Sequence, residues 1–365
     1  MIIGIDGSNI RTGGGKKHLE QFIVNSNKIF GSKIKYIVVS NKTTLQNISK
    51  LSNVYSITNR LLNFNNITSF LSQFIYSKSY FKENNCEVVF VPGGIFLSSF
   101  RPFVSMSQNM LPFDPIEVKN FKFFKKIKFY LIKVLQLKTF MKSNGVIFLN
   151  EYAKENILNK HKLKTKYAII PHGINQSNKN IYTPCNKPFK ITYVSDFLPY
   201  KHQLNVVNSV KKILDNGYDV YLNLIGNYDN SSISPIKKII SKNKILKSRI
   251  NIVGFVPYDG IINYYKKSSL VLFASTCENL PFILLEAMSY GMPIITSTKK
   301  PMSEMLYGKN ILFDSYDINS IQKIIIENMK TEKLNKMSIE NHKLSKYYNW
   351  NDNVIKTINF LKSCV

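Results

Sequence analysis

Residues 270–297 read LVLFASTCENLPFILLEAMSYGMPIITS, and this stretch decides the fold class of the chain. Its first part, Leu270 to Ala274, is an unbroken apolar run of the kind that forms a buried strand of a parallel sheet. Thr276 to Leu280 then predicts a loop, and Pro281 to Tyr290 predicts a helix, because proline favours the first helical turn and the glycine that follows ends the helix. Ile294 to Ser297 starts another strand. Strand, helix and strand in this order are typical of an α/β fold with parallel strands.

Two glutamates, Glu278 and Glu286, stand in this otherwise apolar stretch. Their spacing corresponds to about 80° beyond two full helical turns at ~3.6 residues per turn, so they would not share one helical face. We therefore expect Glu278 in the loop at the carboxyl end of the strand and Glu286 within a buried helix. An ionised carboxylate in such a helix is destabilising unless it is hydrogen-bonded, and the hydroxyls of a bound polyol can satisfy it. The alternative is a pair of unrelated surface acids.

The start of the predicted helix, Asn279 to Pro281, adds a second kind of ligand contact. Backbone N–H groups at a helix amino terminus are free to bind phosphate. In open α/β sheets, ligands bind outside the carboxyl ends of the strands, where this turn lies. Carboxylates for hydroxyls beside amides for phosphate are typical of a site for a nucleotide-linked sugar.

This segment resembles the E-x7-E signature of retaining glycosyltransferases of family 4 (glycosyltransferase group 1), of the bacterial envelope polysaccharide type. These enzymes have the GT-B fold, in which two Rossmann-like domains face a cleft. The resemblance implies that Glu278 contacts hydroxyls of the donor sugar and that Glu286 holds the nucleotide ribose. It also implies that the amides of Asn279 and Leu280 approach the sugar or its phosphate. The resemblance covers nearly the whole chain, with its specific motifs concentrated in residues 190–305.

Lys201 follows a strand predicted at Lys190–Ser195. The resemblance implies that a lysine at this place neutralises the donor diphosphate, and a compact ammonium can stabilise the charge that builds on a leaving diphosphate. Taken alone, such a lysine is typical of a surface charge. The sequence departs from the family at Ser195, where many relatives have an arginine. We expect Lys201 and the loop amides to carry the phosphate charge, unless another cation substitutes.

Three further segments contribute candidate site residues. Gly14 and Gly15 end a glycine-rich turn that is predicted to lead into a helix near Lys16, and the family places such glycines near the donor phosphates or the acceptor. Val256 lies in a turn that the family sets against the nucleobase. Asn109 is a candidate catalytic residue in a segment where some relatives have a histidine near the reacting centre. It can orient a substrate but cannot act as a general base, and the alternative is an asparagine that caps a turn.

The chain has 365 residues, which favours two or three domains, and 44% of them are hydrophobic, which is ample for packed cores. Strand-like and helical segments alternate along it, so we expect parallel sheets with helices on both faces. A polar stretch after Gly173 separates two such series. We therefore predict one Rossmann-like domain over residues 1–173 and a second over 174–340. Residues 341–365 are predicted to form a helix that, by the family resemblance, returns to the first domain.

No residue pattern predicts a metal site or a bound cofactor. The five histidines do not form the H-E-x-x-H pattern, and the four cysteines are scattered without Cys-x-x-Cys spacing. The Gly-x-Ser-x-Gly motif and a Cys and His pairing are missing as well, so hydrolases with a serine or cysteine nucleophile have no support. By the family resemblance, lysine and helix amides supply the positive potential that a metal would, and the nucleotide-sugar is a substrate rather than a cofactor.

The chain is strongly basic, with a formal net charge of +28 from 50 basic and 22 acidic residues. Only four of the basic residues are arginines, which phosphate and guanine recognition prefers, so nucleic acid is not an expected partner. The segment from Lys119 to Lys142 stands out, because lysines alternate with aromatic residues and no acid is present. It predicts a helix on an anionic membrane leaflet, with Lys122, Lys125, Lys126 and Lys128 as contacts, or else a core-packing helix with a solvated lysine face.

Together these patterns and the family resemblance predict a glycosyltransferase that moves a hexose-type sugar from a nucleotide diphosphate donor to a hydroxyl of a glycan. The resemblance implies that the anomeric configuration is retained. By association, the acceptor is expected to be lipid-linked O-antigen, lipopolysaccharide or capsule. No apolar run reaches the ~18 residues of a membrane span, and the first residues read as a strand, so we expect a cytoplasmic protein, soluble or peripheral on the inner face of the plasma membrane. Two alternatives stay open. One is a nucleotide-sugar epimerase or phosphorylase-like enzyme, and the other is a non-catalytic basic protein that binds membrane or nucleic acid through residues 119–142.

Overall fold

The computed structural model describes residues 1–177, 179–184, 187–306, 308 and 311–365. The chain forms two compact units. Residues 1–118, 122–173 and 348–365 make up the first unit, and residues 119–121 and 174–347 make up the second. Each unit is built on its own sheet.

The first unit has a parallel sheet whose strands, within the described residues, number seven. They are β1 (Ile2–Asp6), β2 (Lys35–Val39), β3 (Val54–Ile57), β4 (Val88–Val91), β5 (Phe103–Met106), β6 (Gly145–Phe148) and β7 (Tyr167–Ile169). Their order across the sheet is β3-β2-β1-β4-β5-β6-β7. Every residue of β4 is buried, because a parallel sheet with helices on both faces leaves neither side to solvent. The strand order reverses between β1 and β4, which is where ligands of such sheets bind.

Helices cover both faces of this sheet. They are α1 (Gly13–Phe30), α2 (Lys42–Leu45), α3 (Arg60–Phe64), α4 (Asn66–Glu83), α5 (Pro115–Val118), α6 (Phe123–Lys142) and α7 (Glu151–Lys154). The connections from β1 to β2 and from β3 to β4 move in opposite directions across the sheet, so right-handed crossovers place α1 and α4 on opposite faces. α4 packs closely on β1. A Cβ at Gly4 would lie 2.6 Å from the Phe81 ring, so only glycine fits at that position.

The second unit has a parallel sheet of six strands in the part of the chain that the structure covers. They are β8 (Phe189–Val194), β9 (Val220–Ile225), β10 (Ile250–Gly254), β11 (Leu270–Phe273), β12 (Ile294–Ser297) and β13 (Leu312–Phe313), in the order β10-β9-β8-β11-β12-β13. Its helices are α8 (Gln203–Asp215), α9 (Asn230–Ser241), α10 (Lys244–Arg249), α11 (Tyr258–Tyr265), α12 (Phe282–Ser289), α13 (Met302–Met305), α14 (Ile318–Glu327) and α15 (Thr331–Ser345). Both units are therefore Rossmann-like, as the alternating pattern predicts.

The end of the chain differs from the single helix predicted over residues 341–365. α15 runs to Ser345, and α16 (Trp350–Lys362) begins after Asn349. The Asn349 side chain accepts a hydrogen bond from the Asp352 backbone amide, and asparagine in this position favours the start of a new helix. Residues 341–347 therefore belong to the second unit, whereas α16 packs on α1 in the first.

The glycine-rich turn after β1 also differs from its prediction. α1 begins at Gly13 rather than near Lys16, so the turn is the first turn of the helix itself. Gly13 has a φ of +67°, a left-handed value that glycine adopts without steric strain. The local sequence pattern predicts a helix that starts too late, because glycine has a low helix propensity.

Candidate functional site

The two glutamates of the 270–297 stretch lie where the sequence predicts them. β11 ends at Phe273, and Glu278 lies in the loop between this strand and α12. Pro281 directly precedes α12, and Glu286 lies within the helix with 2% of its surface exposed. One carboxylate is therefore at the carboxyl edge of the sheet, and the other is in the core of the second unit.

Lys201 and Glu278 form an ion pair between two neighbouring strand ends. Lys201 closes a 3-10 turn, Pro199–Lys201, that follows β8, and β8 pairs with β11 in the sheet. Lys201 Nζ donates a hydrogen bond to Glu278 Oε1. The two side chains are 12% and 15% exposed, so the pair is shielded from solvent but remains accessible to a ligand. Two of the predicted site residues are thus in direct contact.

Hydrogen bonds hold the two loops together on either side of this ion pair. The Thr276 amide donates to the Tyr200 carbonyl at 2.9 Å, and the Thr276 hydroxyl lies 2.9 Å from His202 Nε2. The Tyr193 hydroxyl donates to the Lys201 carbonyl at 2.7 Å. The backbone that carries the charged side chains is therefore fixed by contacts that do not depend on the charges.

Aromatic rings surround the lysine ammonium. Lys201 Nζ lies 5.1 Å from the centre of the Tyr200 ring and 5.3 Å from that of Phe273, within the range of cation–π attraction. Burial raises the pKa of Tyr193 and of Tyr200, and the nearby charge of Glu278 adds to both increases. Both phenols are therefore neutral, and the site presents one cation and one anion on an uncharged aromatic wall.

The sequence gives no sign of the role of His202, which joins the Pro199–Lys201 turn to α8. Its φ is +54°, a left-handed value that is uncommon for residues other than glycine. Its ring is hydrogen-bonded to Thr276 and stands edge-on to the Tyr316 ring, with 4.7 Å between the ring centres. This left-handed residue lies between the turn that ends at Lys201 and the first residue of α8. It therefore sets the direction in which the chain leaves Lys201, whose side chain contacts Glu278. Left-handed residues of this kind have no local sequence pattern, so the feature could not be predicted.

Glu286 has a tyrosine partner on α11. The hydroxyl of Tyr258, the first residue of α11, donates to the Glu286 carboxylate and is also hydrogen-bonded to the Tyr290 hydroxyl. Burial raises the pKa of Tyr258, and the negative charge of Glu286 raises it further. The same two causes raise the pKa of Tyr265, which is fully buried beside them. A hydroxyl donor for Glu286 is expected from the sequence, but the protein itself supplies one, and the sequence does not reveal which.

The other predicted donor contacts of the second unit lie in loops that follow strands. Asn279 and Leu280 are buried beside Glu278 in the loop before α12. Val256 is partly buried in the turn between β10 and α11, two positions before Tyr258. All of them are therefore at the carboxyl ends of β10 or β11, the edge at which α/β sheets bind ligands.

The remaining predicted site residues, Gly14, Gly15 and Asn109, belong to the first unit. Gly14 and Gly15 lie in the first turn of α1, and a Cβ at Gly15 would be 3.1 Å from the Gln108 side-chain oxygen. Asn109 is exposed, and its Oδ1 accepts a hydrogen bond from the Leu111 amide at 3.1 Å. Asn109 therefore caps a turn, which is one of its two interpretations from sequence. The predicted residues form two clusters, one in each unit.

Near the first cluster, a buried polar network fixes α4 on the sheet. Asp6 lies at the end of β1 and accepts hydrogen bonds from Ser8, Gln73 and Ser77. Burial raises the pKa of Asp6, and these donors oppose the increase. Gln73 and Ser77 belong to α4, so the carboxylate holds this helix in place. The sequence does not reveal this network, because Gln73 and Ser77 of α4 are far from Asp6 along the chain.

In the described part of the chain, no three His, Cys, Asp or Glu side chains are grouped so that they could hold a metal ion. The candidate site in the second unit has a lysine as its cation. Lys201 is thus one side chain with which this site can bind an anionic ligand.

The basic helix predicted between Lys119 and Lys142 is α6, in the first unit. Three of the predicted membrane contacts, Lys122, Lys125 and Lys128, are exposed, and the fourth, Lys126, is partly buried. Its buried residues all lie in its carboxyl-terminal half, so that half packs on the unit. Among the residues that the structure describes, no helix is long and apolar enough to span a bilayer.

Comparison with known families identifies the second unit. Residues 175–345 match the model of the family described as glycosyl transferases group 1. The matched range contains Lys201, Glu278 and Glu286, the three charged residues of the candidate site. The second unit is therefore a glycosyl transferases group 1 domain.

Relatives and solved structures agree with this domain assignment. An uncharacterized glycosyltransferase of Methanocaldococcus jannaschii is 25% identical over 211 residues, 57% of this chain and 56% of that protein, so the match spans little more than half of that relative. The capsular polysaccharide biosynthesis glycosyltransferase CapH of Staphylococcus aureus is 25% identical over 268 residues, 69% of this chain and 71% of that protein. The crystal structure of HepE from Anabaena in complex with UDP-glucose has a TM-score of 0.73 at 15% identity and covers 100% of both chains. The relatives agree with the domain match, and the likeness to HepE shows that the chain has the same fold.

Proposed function

We propose that this chain, which carries a glycosyl transferases group 1 domain, is a retaining glycosyltransferase of family 4. It transfers a sugar from a nucleotide diphosphate donor to a hydroxyl of a glycan. The observation that supports this most is the contact between Lys201 and Glu278 at the ends of neighbouring strands, with Glu286 buried in the helix that follows. A cation for phosphate, an acid for sugar hydroxyls and a second acid for ribose are the groups that such a donor requires.

In the proposed complex, each charged residue has its own part of the donor. Lys201 binds the diphosphate together with the amides of Asn279 and Leu280, and Glu278 accepts hydrogen bonds from the sugar hydroxyls. Glu286 accepts hydrogen bonds from the ribose, and Val256 lies against the base. The likeness to HepE, whose structure holds UDP-glucose, supports this class of donor.

The proposed reaction needs no protein base. The bond between the anomeric carbon and the diphosphate oxygen breaks, and the acceptor oxygen bonds to the same face of that carbon, so the configuration is retained. The proton of the acceptor hydroxyl moves to an oxygen of the departing diphosphate. Lys201 stabilises the charge on that leaving group, which is greatest in the transition state. Asn109, Gly14 and Gly15 are the proposed contacts in the first unit, where Asn109 would orient a substrate by hydrogen bonds.

The proposed acceptor is a lipid-linked glycan of the bacterial envelope, of the O-antigen, lipopolysaccharide or capsule type. The similarity to CapH, a capsular polysaccharide biosynthesis glycosyltransferase, supports this class. The enzyme would then work in the cytoplasm on the inner face of the plasma membrane. Lys122, Lys125, Lys126 and Lys128 of α6 are its proposed contacts with anionic lipid.

Thermal unfolding with a panel of UDP-, GDP-, ADP- and dTDP-sugars tests the proposal. A ligand that binds the folded state raises the unfolding temperature by mass action, so the cognate donor is the sugar nucleotide that gives the largest increase. Transfer is then measured with that donor and a glycan acceptor in the wild type and in Glu278→Gln. We expect the variant to lose transfer.

Glu304→Gln is the matched control, because Glu304 is also paired with a lysine but is exposed. It should keep full activity. Full activity of Glu278→Gln would contradict the proposal. Product formation from the donor alone, without an acceptor, would instead indicate an epimerase-type reaction.

A further inference from the structure

We propose that α3, α4 and the amino-terminal half of α6 form one surface that binds an anionic lipid bilayer. This surface, the α4–α6 surface, consists of Phe64, Ile67, Leu71, Phe74, Ile75, Phe123, Phe124, Ile127, Tyr130 and Leu131 with the lysines that flank them. The inference rests on the proposed function, because it names where an enzyme with a lipid-linked acceptor meets the membrane. It extends the proposed lysine contacts of α6 to a second helix and to apolar side chains.

α4 has an apolar outer face that is largely exposed. Ile67, Leu71, Phe74 and Ile75 recur at helical spacing, and all are exposed, with values of 81% for Ile67 and 68% for Phe74. The opposite face of the helix, which includes Gln73, is buried against the sheet. α4 is therefore apolar on its outer face where a surface helix is ordinarily polar.

α6 repeats this arrangement in its first half. Phe123, Phe124, Tyr130 and Leu131 are exposed there, with a value of 82% for Phe124. This half has no buried side chain, whereas Phe140 in the second half is fully buried. The first half of α6 thus carries large apolar side chains that the fold of the unit does not use.

The two helices lie on the same face of the first sheet. The connections from β3 to β4 and from β5 to β6 cross the sheet in the same direction, and right-handed crossovers then place α4 and α6 on one side. One loop contacts both helices. The Leu97 amide donates to the Gln73 side chain of α4, and the Phe96 amide donates to the Thr139 hydroxyl of α6. α4 and α6 are therefore held on this face by the same loop.

The exposed apolar residues also lie at one end of this face. In a strand–helix–strand unit, the helix runs opposite to the strands, so its amino-terminal half lies near the carboxyl ends of the strands. The exposed side chains of α4 and α6 belong to their amino-terminal halves. Two stripes on one face and at one end are placed to meet the same flat bilayer.

The charge on the helices of this surface is mainly positive. α3 and α4 contain Arg60, Lys78 and Lys82 and one acid, Glu83, at the end of α4. α6 contains six lysines and no acid, and Lys122 directly precedes it. A basic surface is attracted to an anionic bilayer, and its exposed aromatic and aliphatic side chains can enter the interface.

A bilayer fits this surface better than a second protein chain does. Protein interfaces are depleted in lysine, whereas lysine beside aromatic residues is typical of helices that lie on anionic membranes. Each buried apolar side chain and each lysine near the headgroups strengthens membrane binding. Residues 122–131 of α6, with lysines and aromatic residues mixed, have this composition.

Vesicle sedimentation without any sugar donor tests the inference. The probes are vesicles of phosphatidylcholine and phosphatidylglycerol in equal parts, and vesicles of phosphatidylcholine alone. We expect the wild type to bind the anionic vesicles, and the double variant Ile67→Ser/Phe74→Ser to bind about tenfold more weakly. The matched control is Ile339→Ser/Tyr347→Ser, which removes two exposed apolar residues from the second unit and should bind like the wild type.

Besides a wild type that does not bind vesicles, three results would overturn the inference. They are wild-type binding by Ile67→Ser/Phe74→Ser, equal losses in the variant and its control, and a wild-type dimer in gel filtration that this variant dissociates. The substitutions are on the surface, so an unchanged unfolding temperature verifies that the variant is folded. Transfer to a soluble acceptor should be unchanged in the variant. Absence of vesicle binding by an active wild type would refute membrane binding while leaving the transferase proposal intact.

Discussion

Each unit of the molecule contains a shielded pair of polar side chains, and the two pairs differ in charge and in access. Lys201 and Glu278 in the second unit are oppositely charged and remain 12% and 15% exposed. His18 and His172 in the first unit are fully buried, with 2.9 Å between their Nδ1 atoms. In the second unit, each side chain of the pair can exchange its partner for a ligand. In the first unit, the pair is closed to solvent.

The surroundings of the histidines show that they serve the fold. His18 lies on α1, and His172 lies just before the second unit begins. Their rings are tilted against each other beside Trp350, the first residue of α16, with 5.6 Å between the His18 and Trp350 ring centres. Burial lowers the pKa of His18 to about 3 and holds that of His172 well below its usual value. A neutral pair thus joins α16 to α1, and comparison with it shows what distinguishes a ligand site: retained charge and remaining access.

The largest expected effect comes from removing the cation of the accessible pair. Lys201→Met should lower kcat/KM by about 10³-fold, because the charge on the leaving diphosphate loses its stabilising ammonium. Lys300→Met is the control, since Lys300 pairs with Glu304 on the surface, where such pairs contribute little. Steady-state kinetics with the cognate donor provide the measurement. Loss of folding in Lys201→Met, rather than loss of activity, would make the two polar pairs alike and remove the distinction.

The buried histidines should affect stability, with a sign fixed by their lowered pKa values. The unfolded chain binds protons on these histidines below pH 6.5, while the folded chain does so only near pH 3 for His18. The unfolded state therefore holds more protons in this range, and stability falls as the pH decreases from 6.5. The expected slope is about 1.4 kcal/mol per pH unit for each histidine. Above pH 6.5 the contribution is complete and independent of pH.

Urea unfolding of the wild type and of His18→Gln between pH 4 and pH 8 measures this difference, with the pH range set by the reference pKa of histidine. The variant should show a shallower decrease below pH 6.5, because only His172 still titrates. Transfer activity at neutral pH should be unchanged. Identical slopes in the two proteins would show that His18 titrates in the folded state and is not shielded as its burial implies.

The contrast between the two pairs also shows what sequence can predict. Proline at 281 and the spacing of the glutamates are local features, and they correctly place Glu278 in a loop and Glu286 in a buried helix. The contact of Lys201 with Glu278 depends on β8 and β11 being neighbours, and the family resemblance implied only that both residues approach the same donor. The pairing of His18 with His172 joins residues 154 positions apart, and no local pattern reports it. The local sequence specifies helices, strands and loops, whereas contacts between residues that are distant along the chain depend on the order of the strands.

Tyr258 is the test case for a partner that the sequence does not reveal. Tyr258→Phe removes the hydroxyl that donates to Glu286, so this carboxylate should be less well placed to hold the ribose. Donor affinity should fall about tenfold, which is typical for the loss of one hydrogen bond to a charged group. We expect kcat to change little, because the contact is the same in the ground state and the transition state. Tyr264→Phe, on the same helix, is the control for removal of a tyrosine hydroxyl.

Isothermal titration with the cognate donor measures the affinity of both variants. A weaker affinity in Tyr258→Phe alone would assign a positioning role to its hydroxyl. Equal affinity in the wild type and Tyr258→Phe would show that Glu286 needs no hydroxyl donor from the protein.

Asn109 gives the smallest expected effect, and it separates a structural role from a catalytic one. Its side chain accepts a hydrogen bond from the Leu111 amide, a capping contact that serine can also make. Asn109→Ser should therefore keep the turn, while Asn109→Ala should lose it and unfold at a slightly lower temperature. If Asn109 also orients a substrate, both variants should lose about threefold in kcat, because the amide group is missing from both. Full activity of Asn109→Ser would assign this residue, like the histidine pair, to the fold alone.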